Sequence, residues 1–588
     1  MIELIRENTP IWRERAADSA DSKEVMRLSE ELLISPLAAR LLVGRGLRSL
    51  FDAKRFLSPS TDLLYDPFLF DGMEPAVSRI LSAIERGEKV LIYGDYDVDG
   101  ITGTALLVEL FRLLGYPAAY YIPDRFSEGY GLHVAALQQA ASDGMSLVIT
   151  SDCGSTAHAE IAEASRLGID VIVTDHHRIE GVPPPAAAIL NPYAPQERPY
   201  PFDGLSSVGV GFKLAEAVFK RCGLSALALR PLLDLVALGT VADVAPLVGE
   251  NRYFVKEGLE VIREGRRPGI AALFEKGGDA PGSATERTLA YALVPRLNAA
   301  GRLYHAKEAV ALLTAASPET ALVQAERLDH YNQERQEIEA KIWKEADRQV
   351  RERQDLDREP VLVLSSEEWH PGVVGIIASR LVERYQRPAI VIALSPEGIG
   401  RGSGRSIGGI DLFQAVSSCR RWLNKFGGHA GAVGLTIQKE QIDPFREALS
   451  DLLPQCAVVE TAKRPLIDAE IDLERLTFRL MQEIAPLAPF GPGHPAPVFL
   501  VRGVLLISLR REPDRSVYFK VRNQKGWTLD VVAPRHLTFD WDACNEGAKV
   551  DLVFTPEQSR WQGEARIFLR LKEIYRQTEG DDPRKEGC

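Results

Sequence analysis

Four short stretches concentrate carboxylates and imidazoles where an apolar run gives way to a polar loop. The first reads Asp95-Tyr96-Asp97-Val98-Asp99-Gly100, with three acids at alternate positions. The others are Thr150-Ser151-Asp152-Cys153-Gly154, Thr174-Asp175-His176-His177 and Gly239-Thr240-Val241-Ala242-Asp243. Three acids so close together repel one another, and an EF-hand calcium loop is one arrangement that neutralises them. That reading fails: counting from Asp95, the position that must be glutamate is Leu106, and the segment follows a strand pattern rather than a helix. A solvated acidic turn would account for the first stretch by itself, and a surface pair for His176-His177. Four such stretches at the ends of strands in one sheet point instead to a metal site. Carboxylates with imidazole suit Mn²⁺, or Mg²⁺ where oxygen ligands dominate. Two such ions about 3.5–4 Å apart, bridged by one carboxylate, make a nucleophile from water and stabilise phosphoryl transfer.

Basic and glycine-rich stretches supply a second kind of chemistry. Gly400-Arg401-Gly402-Ser403-Gly404-Arg405-Ser406 reads as a loop whose backbone N–H groups and guanidinium forks both meet a phosphate. Gly427-Gly428-His429-Ala430-Gly431 lets a backbone approach a ligand closely while a histidine points in. Near the C-terminus, Arg510, Arg511, Arg515, Lys520 and Arg522 lie among Tyr518, Phe519 and Trp527. A basic groove with aromatic faces holds single strands, cation to phosphate and ring to base, although such rings also fill small barrel cores.

The elements that must position these residues follow from the apolar patterning. From about residue 75 short apolar runs such as Val90-Leu91-Ile92-Tyr93, Leu147-Val148-Ile149 and Val171-Ile172-Val173 alternate with helical spacing. Alternating strands and helices imply a parallel sheet covered on both faces, with ligands at the carboxyl ends of the strands. Ser317-Pro318-Glu319 is a helix start, and the charged stretch from there to about Arg353 contains no glycine or further proline. At 1.5 Å per residue it spans roughly 50 Å and joins domains. A second α/β pattern begins at Pro360-Val361-Leu362-Val363-Leu364, and five strand-like runs between Val498 and Leu571 suit an OB-type barrel.

The expected fold class is therefore α/β: two α/β domains joined by a long helix, plus a C-terminal β-barrel. The expected segments are residues 1–45 (helical), 46–315 (catalytic), 316–355 (connecting helix), 356–458 (substrate-binding), 459–576 (barrel) and 577–588 (tail). The 588 residues carry 45% hydrophobic and 26% charged side chains, which excludes wholesale disorder. No apolar run reaches the length of a membrane span and no signal-peptide core precedes the helices, so a cytoplasmic protein is expected. Six scattered cysteines offer neither a disulfide framework nor a cysteine zinc site. The net charge of −12 argues against coating nucleic acid by bulk charge, yet leaves room for a local basic groove.

The stretches GDYDVDG, SDCG, TDHH and GTVADVAPL resemble motifs I to IV of the DHH phosphoesterases. Further stretches, among them Tyr121-Ile122-Pro123-Asp124-Arg125, Arg296-Leu297-Asn298-Ala299-Ala300-Gly301-Arg302, Trp369-His370-Pro371-Gly372 and Gly427-Gly428-His429, are similar to the RecJ family of single-strand-specific 5′→3′ exonucleases. The resemblance implies a DHH domain, a DHHA1 domain and an OB-fold. It implies Asp97, Asp99, Asp152, His176 and Asp243 as ligands of two Mn²⁺ or Mg²⁺ ions, with Asp152 as the bridge. Asp175 would orient the histidines, as metal-bound imidazoles require. His177 and His429 would meet the phosphate being cleaved. Asp95 is placed behind the ligands, because a third ligating acid from one tight turn is crowded.

The same resemblance places Arg125, Ser403 and Arg405 at the 5′-terminal phosphate, with Arg401 and Ser406 in the same substrate-binding stretch. Arg296 and Arg302 become contacts to the strand's backbone, and Tyr130 narrows the entry to one strand, unless it is a core tyrosine. The implied activity is two-metal hydrolysis of single-stranded DNA from its 5′ end, releasing 5′-mononucleotides in DNA repair and recombination. A helicase and a single-strand-binding protein would cooperate, away from membranes. The alternatives are a phosphoesterase of short oligonucleotides or cyclic dinucleotides, which needs no third module, and a non-catalytic replication scaffold, which typically loses metal ligands.

Overall fold

The computed structural model describes residues 13–14, 19–179, 181–195, 197–352, 359–453, 466–512, 517–534, 537, 539, 546–561 and 564–577. The expected tail beyond Gln577 and the expected basic contact Arg515 lie outside the described residues. Residues Ser60–Val458 form one compact unit, and the N-terminal helices with the C-terminal strands form another.

In the first unit, β1 (Lys89–Gly94), β2 (Ala119–Tyr121), β3 (Met145–Ser151), β4 (Asp170–Thr174) and β5 (Ala188–Leu190) make a parallel sheet in the order β2-β1-β3-β4-β5. Val90 to Tyr93 and Leu147 to Ile149 are buried throughout, as strands covered on both faces must be. The ladder continues one residue past three strand ends. Asp95 N–H donates to Ser151 O, Asp152 N–H to Thr174 O and Asp175 N–H to Leu190 O, each at 3.1 Å. Backbone pairing alone therefore sets three acids side by side along one sheet edge.

Helices α1 (Val98–Leu113), α2 (Ser207–Arg221), α3 (Leu233–Ala242) and α4 (Val294–Leu303) pack around that edge. The stretch ending at Asp243, expected to close a strand, is the end of α3. Its residues Leu233 to Thr240 are buried on every side, so no amphipathic period marks it as helical. Gly239 is needed there for close approach: a Cβ would lie 2.2 Å from Thr102 Oγ1 on α1.

Helix α5 (Pro318–Arg351), capped by Ser317, leads to the second sheet. It does more than join. Ala321, Ala325 and Leu328 belong to the core of the first α/β domain, while Ile342, Ala346 and Val350 belong to the core of the second. In that second domain β6 (Leu362–Ser366), β7 (Ala389–Leu394), β8 (Ile399–Arg405), β9 (Leu423–His429) and β10 (Ala432–Gln438) run in the order β9-β10-β8-β7-β6, with α6 (Val374–Tyr385) packed on the sheet.

The glycine-rich stretch expected as a phosphate-cradling loop is strand β8, paired on both sides. Its backbone polar groups are therefore taken up by the ladder. Gly400, Gly402 and Gly404 sit on the core face, where Cβ atoms would come within 2.7 Å of Ile392, Leu435 and Val433 side chains. Arg401, Ser403 and Arg405 take the opposite face by the period-two rule.

The other unit holds β11 (Phe499–Arg511), β12 (Val517–Arg522), β13 (Thr528–Ala533), β14 (Lys549–Trp561) and β15 (Glu564–Arg576). They close in the order β11-β12-β13-β15-β14, with β14 pairing back onto β11, as a five-stranded barrel should. Helices Ser19–Leu32, Pro36–Gly44 and Leu50–Leu57 bury Leu28, Leu41, Leu42 and Ala53 in the same core. Residues 46–57 thus group with the barrel unit. Tyr518 and Trp527 are about half exposed, whereas Phe519 is buried core. No helix among the described residues is long and apolar enough to cross a membrane.

Candidate metal centre and anion pocket

The carboxylates and imidazoles at the first sheet's edge meet in space. Ligand atoms of Asp99, His176 and Asp243 lie within 4.8 Å of one another, as do those of Asp95, Asp97 and Asp152, and those of Asp152, His176 and His177. Asp152 and His176 belong to two groups each, so all three trios form one continuous cluster. Asp97 caps α1, its Oδ1 accepting from Asp99 N–H at 3.0 Å and Gly100 N–H at 3.2 Å. Asp99 is clamped from the other side: its carboxylate accepts from Ser207 N–H at 2.6 Å and Val208 N–H at 3.0 Å, at the start of α2. Nothing in the α2 sequence announces that role.

Asp152 holds a left-handed backbone (φ 67°) directly after β3, which turns its side chain into the cluster. His176 Nε2 lies 3.2 Å from Asp152 Oδ1 and 3.7 Å from Asp99 Oδ2, and its Nδ1 lies 3.7 Å from Asp243 Oδ2. Asp175 is buried and saturated. Its Oδ1 accepts from His176 N–H (2.8 Å), His177 N–H (3.2 Å) and His177 Nδ1–H (2.8 Å), and its Oδ2 from Ser155 N–H (3.1 Å). Tyr130 donates its hydroxyl to Asp152 O at 3.1 Å, with His177 Nδ1 3.2 Å away. It braces the cluster and still leaves about half of its surface exposed.

Burial and mutual repulsion raise the affinity of this cluster for positive charge. Burial, then the neighbouring Asp97, pushes Asp99 up to about 7; burial, then Asp99 and Asp97, pushes Asp243 up to about 8. Asp152 and Asp95 are raised for the same reasons. Burial, then His177, drives His176 down to about 4, which keeps its imidazole neutral and able to ligate. Burial opposes charge on His177 as well, but the Asp175 hydrogen bond outweighs it and raises the ring to about 9. Asp175 is correspondingly lowered.

Asp95 Oδ1 and Asp152 Oδ1 are buried without a hydrogen bond, an expensive state for carboxylates with no cation to accept their lone pairs. The oxygen-rich set with one neutral imidazole fits Mn²⁺ or Mg²⁺. Asp95, expected to stand behind the ligands, is thus itself one of the clustered acids.

Next to the cluster, residues of both α/β domains line a cavity of about 230 Å³: Arg125 and Arg302 from the first, Gly372, Gly375, Ser403 and Arg405 among those from the second. Arg302 donates to Gly372 O at 3.1 Å, and Arg405 to Ser403 Oγ at 3.2 Å and Gly404 O at 2.8 Å. Among the described residues no carboxylate lines the cavity. Burial, then Arg125, Arg335 and Arg405, pulls the Arg302 guanidinium down to about 9; burial, then Arg125, lowers Arg405. A bound anion would relieve both.

Four sequence candidates lie elsewhere. Arg296 is held by Asp329 at 2.8 Å and by the carbonyls of Ala292 and Lys276, so its donors already serve the fold. Arg401 reaches across to Phe126 O at 2.6 Å, joining the two α/β domains. Ser406 ties its own loop through Ile410 O at 2.8 Å. His429 stands exposed at the end of β9, its Nδ1 accepting from Gly431 N–H at 3.2 Å. The sequence reading assigned no role to Gly372, Gly375 or Ser379 in the cavity wall; the only signal was the His-Pro-Gly turn that opens α6.

Family models match three segments: the DHH family N-terminal domain at residues 89–240, the DHHA1 domain at 358–455 and the RecJ OB domain at 467–573. The single-stranded-DNA-specific exonuclease RecJ of Bacillus subtilis is 38% identical over 562 residues, covering 94% of this chain and 70% of the relative. This chain belongs to the RecJ family. The RecJ of Salmonella typhimurium is 36% identical and covers 96% of this chain and 99% of its own length. Among solved structures, RecJ of Thermus thermophilus in complex with Mn²⁺ superposes with a TM-score of 0.77 at 29% identity, over 96% of this chain and 78% of that one. The two α/β domains and the closed barrel described above are thus the architecture of a RecJ-family chain.

Proposed function

We propose that this chain is a single-stranded-DNA-specific 5′→3′ exonuclease that hydrolyses the terminal phosphodiester with two Mn²⁺ or Mg²⁺ ions and releases 5′-mononucleotides. One observation carries the reading: a carboxylate–imidazole cluster stands beside a cavity walled by three arginines and no acid. The two feel one another, since the charge of Asp97 bears on Arg302 and that of Arg125 on Asp95. An enzyme that starts at a phosphorylated end needs both. Relatives named as single-stranded-DNA-specific exonucleases, and a neighbour crystallised with Mn²⁺, support the substrate and the metal.

Asp97, Asp99, Asp152, His176 and Asp243 would hold the ions, Asp152 being shared by two of the clustered groups, and Asp95 is close enough to join Asp97 and Asp152. Bound there, divalent ions supply a nucleophile from water at neutral pH and offset charge on the phosphoryl oxygens. The remaining work falls to this chain's own groups. Arg125, Arg302 and Arg405, with Ser403, bind the terminal phosphate and orient the strand. Asp175 fixes His177 by accepting a hydrogen bond from its Nδ1–H, which leaves the Nε2–H of the charged ring for the phosphate being cleaved. His429, exposed at the end of β9 and outside both the cluster and the cavity wall, keeps only the role that the family resemblance gives it at the same phosphate. Tyr130 flanks the cluster and narrows access.

The filled set of clustered acids supports an enzyme over a scaffold, and the barrel supports a long strand over a dinucleotide. Because the substrate is a single strand, a helicase that exposes it and a single-strand-binding protein are the expected cooperating partners. The setting is DNA repair and recombination in the cytoplasm. Digestion of end-labelled single and double strands, with and without Mn²⁺, tests the reading. Metal-dependent release of mononucleotides from the 5′ end of single strands is expected. Cleavage confined to dinucleotides overturns it.

A further inference from the structure

One side chain stands between the carboxylate cluster and the arginine-walled cavity. Tyr96 lies between Asp95 and Asp97 in the loop after β1. Its ring carries the guanidinium of Arg125, 4.8 Å above the ring centroid. Among the described residues that stacking is the one polar contact Arg125 makes; it has neither a hydrogen bond nor an ion pair. Tyr96 also packs against the residue that precedes the cavity's second arginine. Its carbonyl packs against Gly301, where a Cβ would lie 2.7 Å from Tyr96 O, and Arg302 is the next residue on α4. Of the two arginines that the first domain sends into the cavity, one is stacked on Tyr96 and the other follows a glycine packed against its carbonyl, while the two neighbours of Tyr96 join the cluster.

We infer that Tyr96 is a positioning residue that makes recognition of the strand's terminal phosphate and placement of the scissile bond one event. This rests on the exonuclease reading above. An arginine free to rotate loses entropy when it binds an anion. A guanidinium already laid flat on a ring loses less, and the ring face leaves its N–H edge open to the phosphate. The loop that holds the ring is the loop that holds Asp95 and Asp97. The distance from end phosphate to cluster is thus set within one residue, which suits removal of a single nucleotide at each turnover.

The test compares the full-length wild type, Tyr96→Leu and Tyr96→Phe on paired single strands bearing a 5′-phosphate or a 5′-hydroxyl, in Mn²⁺. Tyr96→Leu should lower the kcat/KM ratio between phosphate and hydroxyl ends roughly three- to thirtyfold, the range from an exposed to a desolvated cation–π contact. It should also add dinucleotides to the products. Tyr96→Phe, which keeps the ring, should retain the wild-type ratio and mononucleotide products. In both variants Mn²⁺ should raise the melting temperature as it does in wild type, which a collapsed metal loop would not permit. A Leu variant with an unchanged ratio, a Phe variant as impaired as Leu, or loss of the Mn²⁺ shift overturns the role of Tyr96 and leaves the exonuclease intact. Failure of the wild type to cut single strands from the 5′ end overturns the functional reading and this inference with it.

Discussion

His176 Nε2 and Asp152 Oδ1 are 3.2 Å apart, yet the oxygen has no hydrogen bond. Two atoms held this close without a shared proton direct their lone pairs at a common point, as co-ligands of a cation do. His176 is held neutral, near 4, so only one ring nitrogen carries a proton; with that proton on Nδ1, Nε2 keeps a lone pair for a shared cation.

Replacing Asp152 should therefore remove turnover while leaving the fold. Asn is the informative substitution, because it tolerates the left-handed backbone at φ 67° that Ala does not. Asp152→Asn should lose more than the roughly hundredfold that loss of a partner behind a metal ligand costs. Binding of single-stranded DNA, measured by fluorescence anisotropy, should persist. Substantial residual hydrolysis would place the metals elsewhere.

The raised carboxylates predict how pH and metal act together on stability. Asp99 near 7 and Asp243 near 8 bind protons more tightly folded than unfolded. Their contribution is fully present below the ordinary carboxylate range and is lost as pH rises through the folded values. Metal-free protein should thus lose stability from these groups between about pH 4 and pH 8. Divalent cation replaces the protons, so the rise in melting temperature on adding Mn²⁺ should be larger at pH 8.5 than at pH 5.5. An equal rise at both values would show that these acids are not the ligands.

Asp175 makes four hydrogen bonds and touches both histidines' backbones, so its effect should pass through them. Asp175→Asn keeps the shape but gives up the charge that holds His177 near 9. A ten- to hundredfold loss of Mn²⁺ affinity or activity is expected. The His177 ring should titrate at lower pH, readable by nuclear magnetic resonance of the imidazole protons. An unmoved His177 would sever the link.

The parts of this site that a reader of the sequence can find are those written in local order. Asp95, Asp152 and Asp175 each follow a continuous apolar strand, and parallel pairing places such residues at one edge. Asp243 was equally visible as a residue, but the element beneath it was not. Helix α3 is buried all round, and a buried helix and a buried strand look alike in an apolar run. Strand β8 misled in the opposite sense. Its glycines resemble a loop, whereas they are small because Ile392, Leu435 and Val433 fill the space a side chain would take. The clamp of Asp99 by Ser207 and Val208 N–H, and the burial of Ala53 among barrel residues, join positions far apart in the chain. Such contacts carry no local pattern at all.

Arg405 and Arg296 were both expected to meet the strand, and their surroundings now predict opposite behaviour. Arg405 lines the cavity, where its hydrogen bonds to Ser403 and Gly404 use one nitrogen and, among the described residues, no carboxylate cancels its charge. Arg405→Ala should raise KM more for 5′-phosphorylated than for 5′-hydroxyl ends. It should also reduce the slope of log affinity against log salt by about one. Arg296 spends three nitrogens on Asp329, Ala292 and Lys276, with Asp329 15–16% exposed like Arg296 itself. Arg296→Ala leaves that largely buried carboxylate without its counter-charge, holding only the Gln333 hydrogen bond, so its cost should fall on stability, at about 1–3 kcal/mol. The salt slope should not move. If Arg296→Ala changes the slope and Arg405→Ala does not, the strand follows a different path from the one that begins at the three arginines.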